Sequence, residues 1–289
     1  MLDLEFAQAS DCGRVRGHNE DYLGCVLPEA PEQEQRHGWL FALADGVGGQ
    51  EKGEVASRTA VETLLAGFRR AARGEQLRSL LPRLVQAANE KVFETGLAAR
   101  PGGAAMSTTL VACALQFDRV VVSHVGDSRC YSIRHGHATA LTRDHTMVGE
   151  QVRLGLISAR EAAEAETRHV LTRSLGNGMF VGVETSDHLL LNGDVLLLCS
   201  DGLHGAIPAA EMADIVTRSA DLNAAARELI DAANERDGSD NVSLQLIRIR
   251  SVERVGMYRG RPYKLAQAAP SLYSSPGEGA SGSAGLRKR

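Results

Sequence analysis

The sequence predicts an α+β domain in which two antiparallel sheets are covered by helices. Strand-like segments come in runs, and pairs of helices separate the runs. Single βαβ alternations, which would build a doubly wound parallel sheet, do not occur. Aromatics make up only 4% of the 289 residues while hydrophobic residues make up 43%. The core must therefore be built from Ala, Val, Leu and Ile. The length suits one large domain with a tail.

Leu2–Ala9, Tyr22–Leu27 and Trp39–Ala44 are short β-like runs. Ala56, Ala60, Leu64 and Phe68 then recur every four residues, with Val61 and Leu65 beside them, as in an amphipathic helix. Leu77, Leu81, Leu84, Ala88 and Val92 mark a second helix, ended by Pro101-Gly102-Gly103. Strands follow at Thr109–Gln116, Val120–Val125 and Cys130–Arg134, and the turn Arg134–His137 leads into Ala138–Leu141. Residues 142–180 are irregular, with short helical pieces such as Ser158–Glu166. Strands return at Glu184–Leu190 and Val195–Cys199. Two helices, Pro208–Ser219 and Leu222–Glu235, precede a closing strand at Val242–Arg250. No internal repeat is present.

The folded domain is expected over residues 1–250, with an extension over 251–289. From about 265 that extension is rich in Ser, Gly, Ala and Pro. It cannot bury enough apolar surface to repay its ordering and is expected to be disordered. Tyr258–Lys264, with two tyrosines and three basic residues, stays open to docking on a surface.

Bulk properties exclude several classes. A net charge of −4 offers no basic stripe for nucleic acid. No run approaches the roughly 18 apolar residues of a membrane span. The acidic start Met1-Leu2-Asp3-Leu4-Glu5 has no signal-peptide core. Cys12, Cys25, Cys113, Cys130 and Cys199 are odd in number and form no CxxC, which argues against a disulfide framework or a zinc knuckle. Cys113 and Cys199 sit in apolar runs as small hydrophobes. A reducing cytoplasm is the expected location.

The chemistry lies where apolar runs stop at an Asp. Arg16, Glu20 and Asp21 share the loop Ser10–Asp21. Asp45 ends a strand and begins Asp45-Gly46-Val47-Gly48-Gly49, whose glycines let backbone come close to an ion or phosphate. Asp127 lies in Val125-Gly126-Asp127-Ser128-Arg129, Asp201 in Ser200-Asp201-Gly202-Leu203, and Asp240 in Ser239-Asp240-Asn241. Each alone is an ordinary solvated turn. Gathered by a fold, they form a negative cluster that repels itself unless cations neutralise it. Oxygen donors without His or Cys point to Mg²⁺ or Mn²⁺ rather than zinc.

These segments, in this order, resemble the metal-dependent protein phosphatase (PPM) family of type 2C, in its bacterial branch. The resemblance adds Gly53-Glu54-Val55-Ala56-Ser57 and Ser107-Thr108-Thr109, and covers about residues 4–249. It implies a four-layer α-β-β-α sandwich, in agreement with the blocks above. It also implies a protein serine/threonine phosphatase in signal transduction, with two Mn²⁺ or Mg²⁺ ions per site and a third, weaker one. Asp45 would bridge two ions, and the carbonyl of Gly46 would bind one of them. Asp21, Asp201 and Asp240 would complete the cluster, with Glu20 holding water there. Asp127, with Asp201, matches the third-ion position. Arg16 would clamp the phosphate, its planar fork matching two phosphate oxygens.

The implied reaction is hydrolysis of phosphoserine and phosphothreonine by direct attack of activated water, without a covalent intermediate. No cysteine here has the loop and Arg spacing of a Cys-dependent phosphatase. Val47 stands where many eukaryotic relatives carry a candidate proton-donating His. His18 and His145 are near only in sequence and read as loop or packing residues. Residues 143–180 correspond to the family's flap, with mobility and substrate choice as one reading and an ordinary surface insertion as the other. Glu54, in the first turn of a helix, fits the helix dipole and is assigned structure. The expected partners are phosphorylated proteins and an opposing Ser/Thr kinase, and the expected state is a monomer. A binding module that lost its chemistry conflicts with the complete acidic set. A two-metal enzyme for small phosphates differs in substrate, which these motifs do not specify.

Overall fold

A computed structural model describes residues 2–29, 34, 38–47, 52–72, 74–99, 106–252, 255–258 and 261–264. Gly48, Gly49, the Pro101-Gly102-Gly103 break and the tail from 265 lie outside the described residues. The chain divides into two units, Met1–Glu253 and Arg254–Arg289.

The first unit contains two five-stranded antiparallel sheets. One sheet is ordered β1 (Leu2–Asp11), β10 (Val242–Val252), β9 (Val195–Cys199), β6 (Arg129–Arg134), β7 (His137–Ala140). The other is ordered β2 (Asp21–Val26), β3 (Trp39–Asp45), β4 (Leu110–Gln116), β5 (Arg119–Val125), β8 (Glu184–Leu189). Helices α1 (Gly53–Arg69) and α2 (Leu77–Ala99) cover the second sheet. The outer face of the first sheet carries α5 (Asp201–His204), α6 (Ala209–Arg218) and α7 (Leu222–Arg236).

The layering follows from side chains alternating across a strand. In β4, Leu110, Ala112 and Ala114 face α1 and α2, while Val111, Cys113 and Leu115 enter the space between the sheets. In β3, Leu40, Ala42 and Ala44 pack outward, and Phe41 and Leu43 inward. In β9, Val195, Leu197 and Cys199 meet the helices of the other side, and Leu196 and Leu198 face inward. Such strands are apolar on both faces, which is why they appear in the sequence as unbroken runs rather than alternations. A one-residue slip would exchange the two faces, so the register is tightly specified.

Boundaries match the sequence expectations within a residue or two for most elements. Within the first unit two elements were not anticipated there: α5, a single turn opened by Asp201, and α3 (Met147–Arg153). α3 is capped by Thr146, whose hydroxyl accepts from Gly149 N at 3.1 Å. The helical piece expected near 158–166 is α4 (Ala159–Glu164), opened by a Ser158/Glu161 capping box. The segment holding α3 and α4 is tied down by Met147 N to Val170 O and Thr172 N to His145 O, both 2.8 Å.

The second unit contains an antiparallel hairpin, β11 (Val255–Tyr258) with β12 (Arg261–Lys264). Its second strand falls within the segment Tyr258–Lys264 singled out above.

Candidate metal centre and catalytic cleft

The strand registers bring the acidic turns to one end of both sheets. Asp21, which starts β2, is the cross-strand partner of Asp45, which ends β3. Val125, at the end of β5, pairs with Leu110 at the start of β4, so Asp127 follows at that same end. In the facing sheet Cys199 pairs with both Leu244 and Arg129, so Asp201 emerges beside the start of β10 and β6. Asp240 lies two residues before β10. A cleft of about 480 Å³ opens there, and Arg16, Glu20, Asp45, Asp127, Asp201 and Asp240 all contribute to its wall. Asp21 is buried next to it, held by a 2.9 Å hydrogen bond from Ser200 Oγ to its Oδ2.

A shell of neutral side chains holds this arrangement. Thr109 N donates to Asp45 O at 2.8 Å, Thr108 Oγ1 donates to the same oxygen at 2.7 Å, and Asp45 N donates to Thr109 Oγ1 at 3.0 Å. Asn241 knits the loops together. Its Oδ1 accepts from Glu20 N at 2.8 Å, and its Nδ2 donates to Cys12 O and His18 O at 2.9 and 3.0 Å. Ser57 Oγ, on α1, donates to Glu20 O at 2.6 Å. Arg16 reaches Asp240 with Nη2 to Oδ2 at 3.0 Å.

Gly46 also meets a packing need. A Cβ there would lie 2.5 Å from the backbone of Gly53, so the glycine lets β3 run against the start of α1. Gly13 has φ +78°, and a Cβ would lie 2.2 Å from Asp240 O, so that glycine seats the Arg16 loop on the Asp240 loop.

The electrostatics are those of carboxylates crowded in a poorly solvated place. Burial pushes the Asp21 carboxyl up to about 7, with Asp201 and Asp240 adding to it. Burial also pushes Asp127 up to about 7, reinforced by Asp201 and Asp144. Asp45 is raised well above the ordinary carboxylate range by burial and by Asp21, Asp201, Asp127 and Asp240. Burial opposes ionisation of Asp201 too, but the nearby His169 and His204 outweigh it and hold that carboxyl low. Glu20 is raised, by burial first and then by Glu54.

The donor set fits hard divalent cations. Asp21 Oδ1 is buried without a hydrogen-bond partner among the described residues. A cation is the natural partner for such an orphaned oxygen in a cluster of mutually repelling carboxyls. Asp21, Asp45, Asp127, Asp201 and Asp240 supply oxygen only, with the Gly46 carbonyl beside them.

A second grouping does not fit. The ligating atoms of His124, His145 and Glu184 lie within 4.8 Å of one another. Yet Gly126 N donates to His145 Nδ1 at 3.2 Å, which leaves the ring proton on Nε2, facing Glu184. His124 Nε2 is within 2.8 Å of the Arg143 carbonyl, and the two rings stack at 4.6 Å. His145 is thus a packing residue, as its sequence context suggested, and His18 is exposed on its loop.

Sequence reasoning missed His169. It lines the cleft, with Nδ1 3.7 Å from Asp201 Oδ2. Arg168 beside it was missed as well. Neither carries a local signal, because both lie in an irregular polar stretch that only the fold brings over Asp201. Ser200, Thr109 and Asn241 stood inside motifs without an assigned role.

Comparison with known proteins accords with this geometry. The sequence profile of the family Protein phosphatase 2C matches residues 17–246. A serine/threonine phosphatase, stp, of Listeria innocua is 34% identical over 255 residues, spanning 87% of this chain and 96% of that protein. The PPM Ser-Thr phosphatase MsPP of Mycobacterium smegmatis, solved with cacodylate, is 39% identical. It superposes with a TM-score of 0.71 over 85% of this chain and 98% of its own. The catalytic domain of the phosphatase PstP, solved with two manganese ions, is 31% identical with a TM-score of 0.74, over 87% of this chain and all of that one. The chain belongs to the protein phosphatase 2C family. Its helix-covered pair of antiparallel sheets is the fold of these relatives.

Proposed function

We propose that this protein is a metal-dependent serine/threonine phosphatase that hydrolyses phosphoserine and phosphothreonine in other proteins. The observation that carries the proposal is the convergence of Asp21, Asp45, Asp127, Asp201 and Asp240 at one end of two sheets, with Arg16 at the rim. The bacterial phosphatases to which the chain is similar support the substrate class.

Asp21, Asp45, Asp201 and Asp240, with the Gly46 carbonyl, would hold two Mn²⁺ or Mg²⁺ ions. Asp127 with Asp201 would hold a third, weaker one. Bound there, the ions lower the proton affinity of coordinated water and neutralise charge on phosphoryl oxygens. The protein's own groups position and balance. Arg16 is anchored at one edge by Asp240, and its remaining N–H groups are free to grip a phosphate as a fork. Glu20, fixed at its backbone by Asn241, Ser57 and Gly46, presents a carboxyl with raised proton affinity to the attacking side. Val47 offers no proton, and His169 is the histidine on the cleft wall. The Thr108, Thr109, Ser200 and Asn241 shell keeps the carboxyls from relaxing apart, which is preorganisation of the electrostatic kind.

Residues 1–250 are proposed as the catalytic domain, with the flap at about 143–180 and an extension beyond 251. A kinase of the same cell is the proposed opponent. One chain supplies every residue of the cleft, so a monomer suffices. No helix among the described residues is long and apolar enough to cross a membrane. All five cysteines are free, which suits a cytoplasmic setting. The deciding experiment is release of phosphate from a phosphothreonine peptide with and without Mn²⁺. Hydrolysis that needs the metal is expected, and undiminished hydrolysis in a chelator contradicts the proposal.

A further inference from the structure

A second cavity, about 690 Å³, lies beside the cleft. Its walls come from α3, α4, β7 and the loop after β7. Asp127, Arg168, His169, Asp201 and Gly205 line both spaces, so the two form one continuous depression. The volume is within the range that holds a drug-sized ligand.

The two halves differ in chemistry. The cleft is dominated by carboxylates. The second cavity has apolar patches from Ala140, Val148, Val152 and Ala162, and arginines around them. Most of those arginines are already engaged. Arg129 grips Asp144 with Nε and Nη2 at 2.8 and 2.7 Å. Arg143 pairs with Glu184 at 2.8 Å, and Arg153 with Glu150 at 2.7 Å. Arg168 differs: it is exposed, stands where the two spaces join, and makes no ion pair among the described residues. An unengaged guanidinium at the mouth of an apolar cavity is suited to an acidic group on whatever fills that cavity.

We propose that this cavity receives the stretch of phosphoprotein next to the scissile phosphate, with an apolar side chain against Val148, Val152, Ala140 and Ala162 and a carboxylate on Arg168. The proposal rests on the phosphatase assignment of the adjoining cleft. The phosphorylated residue enters the metal cleft, and a neighbouring residue is read by the flap. The wall that reads it is firm: Thr146 caps α3, Arg173 reaches Glu150 at 3.3 Å, and Met147 N is bonded to Val170 O. Selectivity is thereby built into residues that the metal chemistry does not use.

The test uses the full chain with Mn²⁺ and two kinds of substrate. One is p-nitrophenyl phosphate, too small to reach the cavity. The other is a phosphothreonine peptide set in which Leu and Glu are moved through the three positions on each side. The expected result is that one placement of Leu improves kcat/KM by about tenfold over Ala, as for a side chain entering an apolar pocket. Glu over Gln at one position should add about threefold, the scale of a partly exposed ion pair. Val152→Trp should abolish the Leu preference, and Arg168→Gln should abolish the Glu preference while sparing the Leu preference. Turnover of p-nitrophenyl phosphate by Val152→Trp within about twofold of wild type shows that this variant is folded. The wild-type peptide scan needs no variant at all. A flat scan, or preferences that survive both substitutions, overturns the proposal while leaving the phosphatase assignment intact. Absence of Mn²⁺-dependent hydrolysis of either substrate would instead strike the phosphatase assignment itself.

Discussion

Asp45 and Arg16 make different contributions and should fail differently. Asp45 stands across the strand pair from Asp21 and feels Asp21, Asp201, Asp127 and Asp240. Asp45→Asn keeps the shape and hydrogen-bonding size but removes a charge from a crowded acidic place. Loss of a metal ligand should cost well over 100-fold in Mn²⁺-dependent hydrolysis, since even outer partners of a metal site cost about 10- to 100-fold. The same substitution relieves repulsion, so metal-free Asp45→Asn should melt no lower than the metal-free wild type. Activity against a phosphothreonine peptide and a thermal melt in chelator check the two halves. Arg16→Ala should act on phosphate binding. Hydrogen bonds to charged groups are worth about 1.5–3 kcal/mol, so kcat/KM should fall about 10- to 100-fold, mostly through KM. Unchanged KM and kcat would remove Arg16 from the clamp role.

At the scale of elements, what matters is how helices and strands hold loops in place. α2 carries Asn89, fully buried, whose Oδ1 accepts from Gly176 N at 2.9 Å and whose Nδ2 donates to Gly178 O and Met179 O. With Gln86, which donates to Met179 O and accepts from Val181 N, this side chain replaces regular pairing for residues 176–181. Asn89→Ala would strand Gly176 N and Gly178 O, since Met179 O keeps its bond from Gln86, and should lower stability by about 2 kcal/mol, visible as a lower unfolding midpoint in urea. A flap reader set on a firm base predicts that this variant loses more activity on peptides than on p-nitrophenyl phosphate. The elements themselves were largely visible beforehand. Leu110–Gln116 and Val195–Cys199 are apolar on both faces and stand out as runs, and the four-residue spacing of Ala56, Ala60, Leu64 and Phe68 marks α1 plainly. α3 was hidden because Met147–Arg153 buries only Val148, so no apolar stripe announces it. α5 is a single turn, too short for any periodicity to show.

For the molecule as a whole, the acidic end is stability set against function. In the metal-free fold Asp21 and Asp127 titrate near 7, against about 4 in an unfolded chain. Between those values the folded state holds more protons than the unfolded one, so stability falls as pH rises from about 4 to about 7. Asp45 acts in the same direction, and Asp201, held low, opposes it. Thermal melts in chelator should therefore show a lower midpoint at pH 7.5 than at pH 5, and Mn²⁺ at pH 7.5 should restore it. A midpoint that rises with pH in chelator would mean the carboxyls are not crowded as described. How much of this site the sequence disclosed follows from what each residue does locally. Asp21 and Asp45 are strand ends, and Asp127, Asp201 and Asp240 lie two residues from one, so turn chemistry beside apolar runs betrayed them. His169 and Arg168 reach the cleft only because their segment folds back over Asp201, and nothing in their neighbours records that. Gly46 was visible as a glycine, but its packing against Gly53 is a tertiary matter.

The proposed site requires separate loops to share cations, and calorimetric titration of the metal-stripped chain with Mn²⁺ measures that directly. The expected result is two tight ions per chain for the wild type, with binding at that pair lost in both Asp45→Asn and Asp201→Asn. A wild-type chain that binds no Mn²⁺, or variants that bind it undiminished, would contradict the account.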